Sequence, residues 1–137
     1  MANRPCPKLT VDCIVKYHSK IVLIKRKNPP FGWALPGGFV DLGETLDIAV
    51  RRELMEEVNV QLDDLKQFHA YSDPKRDPRA HTVSVVFTAR TENEPKAGDD
   101  AESFSCFTEE EIRKMMKSES ICFDHGDILS DYFKGLY

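Results

Sequence analysis

The chain opens on two runs of β-branched and apolar residues that have the pattern of β-strands. These runs cover residues 9–17 and 20–27 and are separated by His18 and Ser19. Because so short an interruption suits a tight turn, the pattern predicts a hairpin. The next stretch, rich in proline and glycine around Trp33, predicts a loop that contains a short strand.

The periodicity becomes helical over residues 45–58, where apolar positions recur at helical spacing. Glu44 or Thr45 can begin this helix. Asn59 is expected to end it, because asparagine tolerates the left-handed backbone conformation that follows many helices.

Strand patterns return in the second half of the chain and are followed by two helices. Residues 60–71 carry mixed strand signals, and residues 81–90 have the β-branched alternation of a strand. Two Asp-Pro steps between them predict turns. The expected helices cover residues 108–116, with Thr108 as N-cap and Glu111 as its capping-box partner, and residues 124–132.

Strands and helices interleave without a strict alternation. We therefore expect the α/β (α+β) class, with a mixed sheet covered by helices on both faces as an α/β/α sandwich. The 137 residues fit one domain, 1–137. A net charge of −4 argues against a nucleic-acid-binding surface. The N-terminus lacks the apolar core of a signal peptide and no segment could span a bilayer, so we expect a cytoplasmic protein without a membrane partner.

Three carboxylates of the first predicted helix lie where a core-facing helix is expected to be apolar. On a helical wheel of about 100° per residue, four apolar residues form one stripe. Glu57 points between two of them, Glu53 lies close beside the stripe, and Glu56 flanks both. The stripe consists of Leu46, Val50, Leu54 and Val58.

This arrangement is unfavourable for folding alone. Acids in the last turn oppose the helix macrodipole at about 0.3–1 kcal/mol each, and like charges three or four positions apart repel one another. A hard divalent cation such as Mg²⁺, which prefers oxygen ligands, would relieve both costs. The alternative is that the glutamates are solvated and paired with Arg51 and Arg52, since Arg52 and Glu56 are suitably spaced. The helix by itself leaves both interpretations open.

A longer pattern surrounds this helix and extends from Gly38 to Val60. After Gly38 come five residues, Glu44, seven residues and then Arg-Glu-Leu-Met-Glu-Glu-Val-Asn-Val. This resembles the Nudix box, the motif of the Nudix hydrolases, and matches it at every defined position but one. The exception is Asn59, where the family usually has glycine, and asparagine is the next-best residue for a left-handed helix end. The resemblance continues upstream through Trp-Ala-Leu-Pro-Gly-Gly and downstream through the β-rich second half.

The resemblance implies a Nudix-type fold and hydrolysis of a pyrophosphate linkage with Mg²⁺, or with Mn²⁺ as the alternative. Such a reaction needs negative oxygens neutralised and a water aligned for attack. By the same resemblance the catalytic base is Glu57 or the loop residue Glu102, which could also be an exposed acid, and Arg52 orients a glutamate. The implied metal ligands are Glu53, Glu56, Glu57 and the Gly37 carbonyl, with Glu44 supporting them.

The segment after the box resembles that of the ADP-ribose pyrophosphatases of this family. Those enzymes tend to carry a proline at a set distance past the box glycine, and Pro74 lies fifteen residues past Asn59. Arg76 and Arg79 could contact the diphosphate or the terminal ribose, since guanidinium groups match phosphate oxygens. The alternative is a rigid turn in which they pair with nearby aspartates. The aromatic residues that could stack on a base, or else belong to the core, are Phe31, Trp33 and Tyr71.

Three functions are consistent with these residues. The leading one is hydrolysis of ADP-ribose to AMP and ribose 5-phosphate, and the second is a nucleoside triphosphate pyrophosphatase that removes damaged nucleotides. The third is a non-catalytic nucleotide sensor. It is disfavoured because all four box glutamates are present and because little chain follows residues 108–116 to form the DNA-binding domain of related regulators. The resemblance to ADP-ribose-active members also implies a homodimer.

Overall fold

The hairpin predicted at the start of the chain lies in the middle of a mixed β-sheet. The computed structural model describes residues 3–98 and 103–137, and these contain seven strands and three α-helices. The strands are β1 (Lys8–Tyr17), β2 (Lys20–Lys25), β3 (Trp33–Ala34), β4 (Gly37–Phe39), β5 (Asp63–Tyr71), β6 (Thr82–Thr91) and β7 (Ser103–Phe107), and the helices are α1 (Leu46–Val58), α2 (Glu109–Lys117) and α3 (His125–Phe133). The order across the sheet is β3-β2-β1-β6-β5, with β4 paired to β1 and β7 paired to β2.

The sheet is mixed and is covered on both faces. Strands β1 and β6 run parallel with Val11 opposite Val85, whereas the other strand pairs of the described residues are antiparallel. Buried side chains form two separate clusters. One includes Val50 of α1, and the other includes Ile112 of α2 and Ile128 of α3. The expected α/β/α sandwich is therefore confirmed.

Helix α1 begins and ends at residues that the sequence indicates. Thr45 is the N-cap, and its hydroxyl accepts a hydrogen bond from the Ile48 N–H at 3.2 Å. Asn59 adopts the left-handed conformation, with φ of 57°, and its N–H donates to the Met55 carbonyl. The Asn59 side chain also donates to the Lys96 carbonyl at 3.1 Å, a contact that glycine could not make. Asparagine at this position is thus compatible with the fold.

The two later helices match their predictions to within one residue at each end. The capping box of α2 is complete, because Thr108 and Glu111 each accept a hydrogen bond from the other's backbone N–H. Strand β7 is not predicted, because five residues after a polar loop carry little pattern. Its pairing with β2, in which Cys106 lies opposite Val22, is a long-range interaction. No helix of the described residues is long and apolar enough to cross a membrane.

Candidate active site

A cavity of about 460 Å³ opens between α1, β4 and the segment 72–81 that joins β5 to β6. This volume lies within the range of small-molecule sites, about 300–1,000 Å³. Its lining includes both acidic and basic groups. We call Glu57, which lines the cavity, and Glu53, one helical turn before it, the acidic wall, and we call the lining residues Arg26, Arg79 and Phe123 the basic wall.

Glu57 is the buried carboxylate of the acidic wall. It is only 7% exposed, as the helical wheel predicts, and its Oε1 accepts a hydrogen bond from the Gly37 N–H at 2.9 Å. Burial raises the pKa of Glu57 to about 9, and the nearby charges of Glu53 and Asp12 act in the same direction. Without a cation, this side chain therefore holds a proton at neutral pH.

The two glycines of β4 allow close contacts with β1 at Gly37 and with the Glu53 side chain of α1 at Gly38. A Cβ at Gly38 would lie 2.6 Å from the carboxylate of Glu53, and a Cβ at Gly37 would clash with the carbonyl oxygen of Val11. A larger side chain at Gly38 would displace the Glu53 carboxylate, and one at Gly37 would disturb the pairing with β1. The glycine pair thus leaves room for the acidic wall beside β4.

Arg52 connects the glutamates of the box. Its Nε and Nη2 donate to the carboxylate of Glu44 at 2.6 and 2.9 Å, and its Nη1 donates to Glu53 at 2.8 Å. These hydrogen bonds from Arg52 hold the pKa of Glu44 at about 2. Glu56 lies 3.3 Å from the same guanidinium, whereas Arg51 donates to a backbone carbonyl. The contacts agree with an orienting role for Arg52.

The acidic wall suits a cation better than it suits two carboxylates alone. Burial raises the pKa of both Glu53 and Glu57, and the charge of Glu53 raises that of Glu57 further, so a hard divalent cation would relieve the cost of ionising the pair. Glu56 turns outward, with its side chain 48% exposed. Within residues 3–98 and 103–137, no group of three or more His, Cys, Asp or Glu side chains is arranged to hold a metal ion. The fit therefore rests on Glu53 and Glu57, and ligation by Glu56 and by the Gly37 carbonyl stays a prediction.

The basic wall is assembled from three distant parts of the chain. The guanidinium groups of Arg26 and Arg79 lie over the Phe123 ring, at 4.9 and 5.0 Å from its centroid. Burial lowers the pKa of Arg26, and the charge of Arg79 lowers it further. Arg79 is also bound by Asp77 at 2.8 Å. Two like charges so close together favour an anion between them or beside them.

Arg76 and Arg79 differ in how their donors are used. The Arg76 side chain is 4% exposed, and its Nε and Nη2 donate to Asp124 at 2.9 and 2.7 Å. Its Nη1 donates to Thr82 at 2.9 Å. Arg76 thus holds the segment 72–81 to the start of α3, while Arg79, with a 44% exposed side chain, remains accessible from the cavity.

The candidate stacking residues lie apart from the cavity lining. Trp33 packs edge-on against Phe107, with the ring centroids 5.0 Å apart, and the hydroxyl of Tyr71 donates to Asp131 at 2.8 Å. Phe31, in contrast, is 70% exposed in the loop before β3. The second candidate base, Glu102, lies outside the described residues.

Two buried side chains on the cavity floor were not singled out from the sequence. Asp12 of β1 accepts a hydrogen bond from the Ser84 hydroxyl, and burial raises its pKa to about 6. His125 of α3 accepts a hydrogen bond at Nδ1 from the Leu35 N–H at 3.0 Å, and burial lowers its pKa to about 3. Asp12 stands in an apolar run of the sequence and His125 lies outside the Nudix box, so neither has a motif that marks it. Only the pairing of β1 with β6 and the position of α3 bring them to the site.

A mixed sheet lies between helices, and the helix that carries the box glutamates lies beside β4 with its two glycines. This arrangement defines the class of the protein as a Nudix-type hydrolase. The chain belongs to the Nudix family, because the family model described as NUDIX domain matches residues 7–126.

Relatives and solved structures agree with this assignment. The chain is 43% identical over 131 residues to an ADP-ribose pyrophosphatase of Methanocaldococcus jannaschii, a match that covers 93% of this chain and 74% of that protein. It is 32% identical to the ADPR responsive transcriptional repressor NtrR of Acinetobacter baylyi, covering 98% of this chain and 56% of the repressor. The NUDIX domain of Shewanella oneidensis NrtR, complexed with ADP ribose, superposes with a TM-score of 0.86 at 27% identity, covering 98% and 91% of the two chains.

Another solved structure contains a metal ion. A bifunctional NMN adenylyltransferase/ADP ribose pyrophosphatase of Francisella tularensis, complexed with AMP and an Mn ion, superposes with a TM-score of 0.83 at 27% identity. The match covers 98% of this chain and 43% of that one. This chain therefore corresponds to less than half of the bifunctional protein.

Proposed function

We propose that this Nudix hydrolase cleaves the diphosphate bond of ADP-ribose in an Mg²⁺-dependent reaction that yields AMP and ribose 5-phosphate. The observation that carries the proposal is that Glu57 of the acidic wall and the guanidinium groups of Arg26 and Arg79 line one cavity. A diphosphate needs cationic groups around its oxygens, and a divalent ion beside it needs carboxylates. The 43% identity to an ADP-ribose pyrophosphatase supports ADP-ribose as the substrate.

The residues of the two walls have different roles in the proposed reaction. A divalent cation held by Glu53 and Glu57 would neutralise phosphate oxygens and make a water more acidic. Arg79 and Arg26 bind the diphosphate from the other side, and Arg52 keeps Glu53 in position. The attacking water loses its proton to a carboxylate, Glu57 or Glu102, while the bridging oxygen leaves with one of the two phosphates.

The proposal is tested by product analysis on a panel of nucleotides. The full chain is incubated with Mg²⁺ and ADP-ribose, ADP-glucose, ATP or dGTP, and the products are separated by chromatography. We expect AMP from ADP-ribose at a higher kcat/KM than for any triphosphate. Preferred release of pyrophosphate from a triphosphate would instead support the damaged-nucleotide alternative. The size of the protein, measured by light scattering in the same buffer, tests the expected homodimer.

A second candidate, ADP-ribose sensing without hydrolysis, is favoured by the likeness to the NrtR NUDIX domain complexed with ADP ribose. The two functions predict different outcomes of the same assay. A sensor binds ADP-ribose in calorimetry and leaves it intact, whereas the enzyme releases AMP.

A further inference from the structure

The buried imidazole of His125 presents a hydrogen-bond donor to the cavity. Its Nδ1 accepts a hydrogen bond from the Leu35 N–H at 3.0 Å, and a backbone N–H can only donate. The proton of the neutral ring is therefore on Nε2. His125 lines the cavity although its side chain is only 5% exposed, so this N–H is held in one direction by a buried contact.

An acceptor lies beside this donor. The Oδ2 atom of Asp12 is 3.9 Å from His125 Nε2, which is beyond hydrogen-bond distance, and both residues line the cavity. Ser84 donates to the same carboxylate oxygen from the side of β6 and fixes the Asp12 side chain. The result is a donor and an acceptor too far apart to bond to each other, and one small polar group beside them could bond to both.

On the basis of the proposed function, we propose that Asp12 and His125 form a hydroxyl-binding subsite that recognises the sugar attached to the diphosphate. A hydroxyl can accept from His125 Nε2 and donate to Asp12 Oδ2 at the same time. An ionised phosphate oxygen can only accept, and it would face the carboxylate of Asp12. At this position the subsite thus favours the hydroxyl of a terminal sugar over the oxygen of a terminal phosphate.

The position of the subsite agrees with this assignment. Asp12 lies opposite Gly37 in the β1–β4 pair, and the Gly37 N–H binds Glu57 of the acidic wall. A group in the subsite is therefore next to the proposed cleavage residues. The terminal ribose of ADP-ribose, which is joined directly to the diphosphate, meets this condition.

The chain offers a substitution that separates recognition from structure. In His125→Asn, the shorter side chain can keep an acceptor near the position of Nδ1 for the Leu35 N–H but has no donor at the position of Nε2. His18→Asn is the matched control, because His18 is exposed at the hairpin and has φ of 56°, which asparagine tolerates. Ribose 5-phosphate and inorganic phosphate are the probes, measured by calorimetry on the full chain in EDTA.

We expect the wild type and His18→Asn to bind ribose 5-phosphate about tenfold more tightly than phosphate, in line with one or two buried hydrogen bonds. His125→Asn should lose this preference and keep its affinity for phosphate. Equal affinity of the wild type for the two probes would overturn the proposal, and so would an unchanged preference in His125→Asn.

A second measurement does not depend on a variant that folds. In nitrogen NMR of the wild type, the Nε2–H signal of His125 should shift with ribose 5-phosphate and stay in place with phosphate. The absence of that selective shift would also overturn the proposal. Because both probes are products or fragments that need no turnover, a failure of the subsite is distinct from a failure to hydrolyse ADP-ribose.

Discussion

The two walls of the cavity are built in different ways. The acidic wall comes from one helix, in which Glu53 and Glu57 are four residues apart and face a glycine strand. The basic wall needs Arg26 at the end of β2, Arg79 between β5 and β6, and Phe123 before α3. A local motif can specify the first wall, whereas only the tertiary fold can specify the second. We therefore expect changes in the acidic wall to affect turnover and changes in the basic wall to affect binding.

The largest effect is expected for Glu57→Gln. The amide cannot accept a proton from water and is a poorer ligand for a cation, so kcat for ADP-ribose should fall by about 10²–10⁴-fold. Stability in EDTA at neutral pH should equal or exceed that of the wild type, because glutamine avoids the cost of protonating a carboxyl group that is ionised in the unfolded state. Steady-state kinetics and thermal melts measure the two properties.

The control for this substitution is Glu110→Gln on α2, where the side chain is 84% exposed and lies far from the box in sequence. It should keep the wild-type kcat. If Glu57→Gln also keeps the wild-type kcat, the acidic wall is not the catalytic side of the cavity.

A smaller effect is expected for Arg79→Lys in the basic wall. Lysine keeps the charge but loses the planar fork that binds oxygens and lies over Phe123, so KM for ADP-ribose should rise about tenfold with little change in kcat. Arg90→Lys is the matched control, since Arg90 forms an exposed pair with Asp64 on β5. A fall in kcat at unchanged KM would mean that Arg79 acts in the chemical step and that the division between the walls is wrong.

The pH dependence of stability tests the acidic wall without catalysis. The pKa of Glu57 rises from 4.5 to about 9 on folding in the absence of metal, so the folded state binds this proton more tightly than the unfolded state does. Its contribution to stability is complete below pH 4.5 and is lost as the pH rises toward 9. The Tm in EDTA should therefore fall over this range by more in the wild type than in Glu57→Gln.

Addition of Mg²⁺ should reverse that loss. A cation that replaces the proton stabilises the native state by mass action, so millimolar Mg²⁺ should raise the Tm by a few degrees, and by more at pH 8.5 than at pH 6. Melts of the wild type with EDTA and with Mg²⁺ that superimpose at both pH values would contradict a cation site at Glu53 and Glu57.

The contrast between the walls also explains how much the sequence could predict. The α1 helix, its caps at Thr45 and Asn59 and the burial of Glu57 follow from residues within one helix length, where periodicity and capping act locally. Strand β7 pairs with β2, from Ile21 opposite Phe107 to Lys25 opposite Ser103, and Arg26 contacts Phe123, so both depend on residues far apart in the chain. Such contacts leave no periodic signal in a single chain.

Arg76 and Arg79 show the same limit at the scale of one loop. The two residues are the same amino acid, three positions apart, and the sequence predicts for both a contact with the diphosphate or the terminal ribose. The fold buries Arg76 between Asp124 and Thr82, whereas Arg79 pairs with Asp77 and keeps a side chain that is 44% exposed. Burial, which decides between a structural and a binding arginine, is a property of the tertiary structure.

The smallest effect is expected from the candidate stacking residues, which lie beyond both walls. Phe31 is 70% exposed and lies two residues before Trp33, which is partly buried, so of the three candidates Phe31 is the one that a base could most readily reach. Phe31→Leu should raise KM for ADP-ribose by about two- to tenfold, in line with the loss of one stacking contact. Trp33→Phe is the matched change, and it should leave KM within about twofold because Trp33 packs on Phe107. If Trp33→Phe raises KM more than Phe31→Leu does, the base lies on the β3 side of the sheet, and substrate recognition extends away from the basic wall.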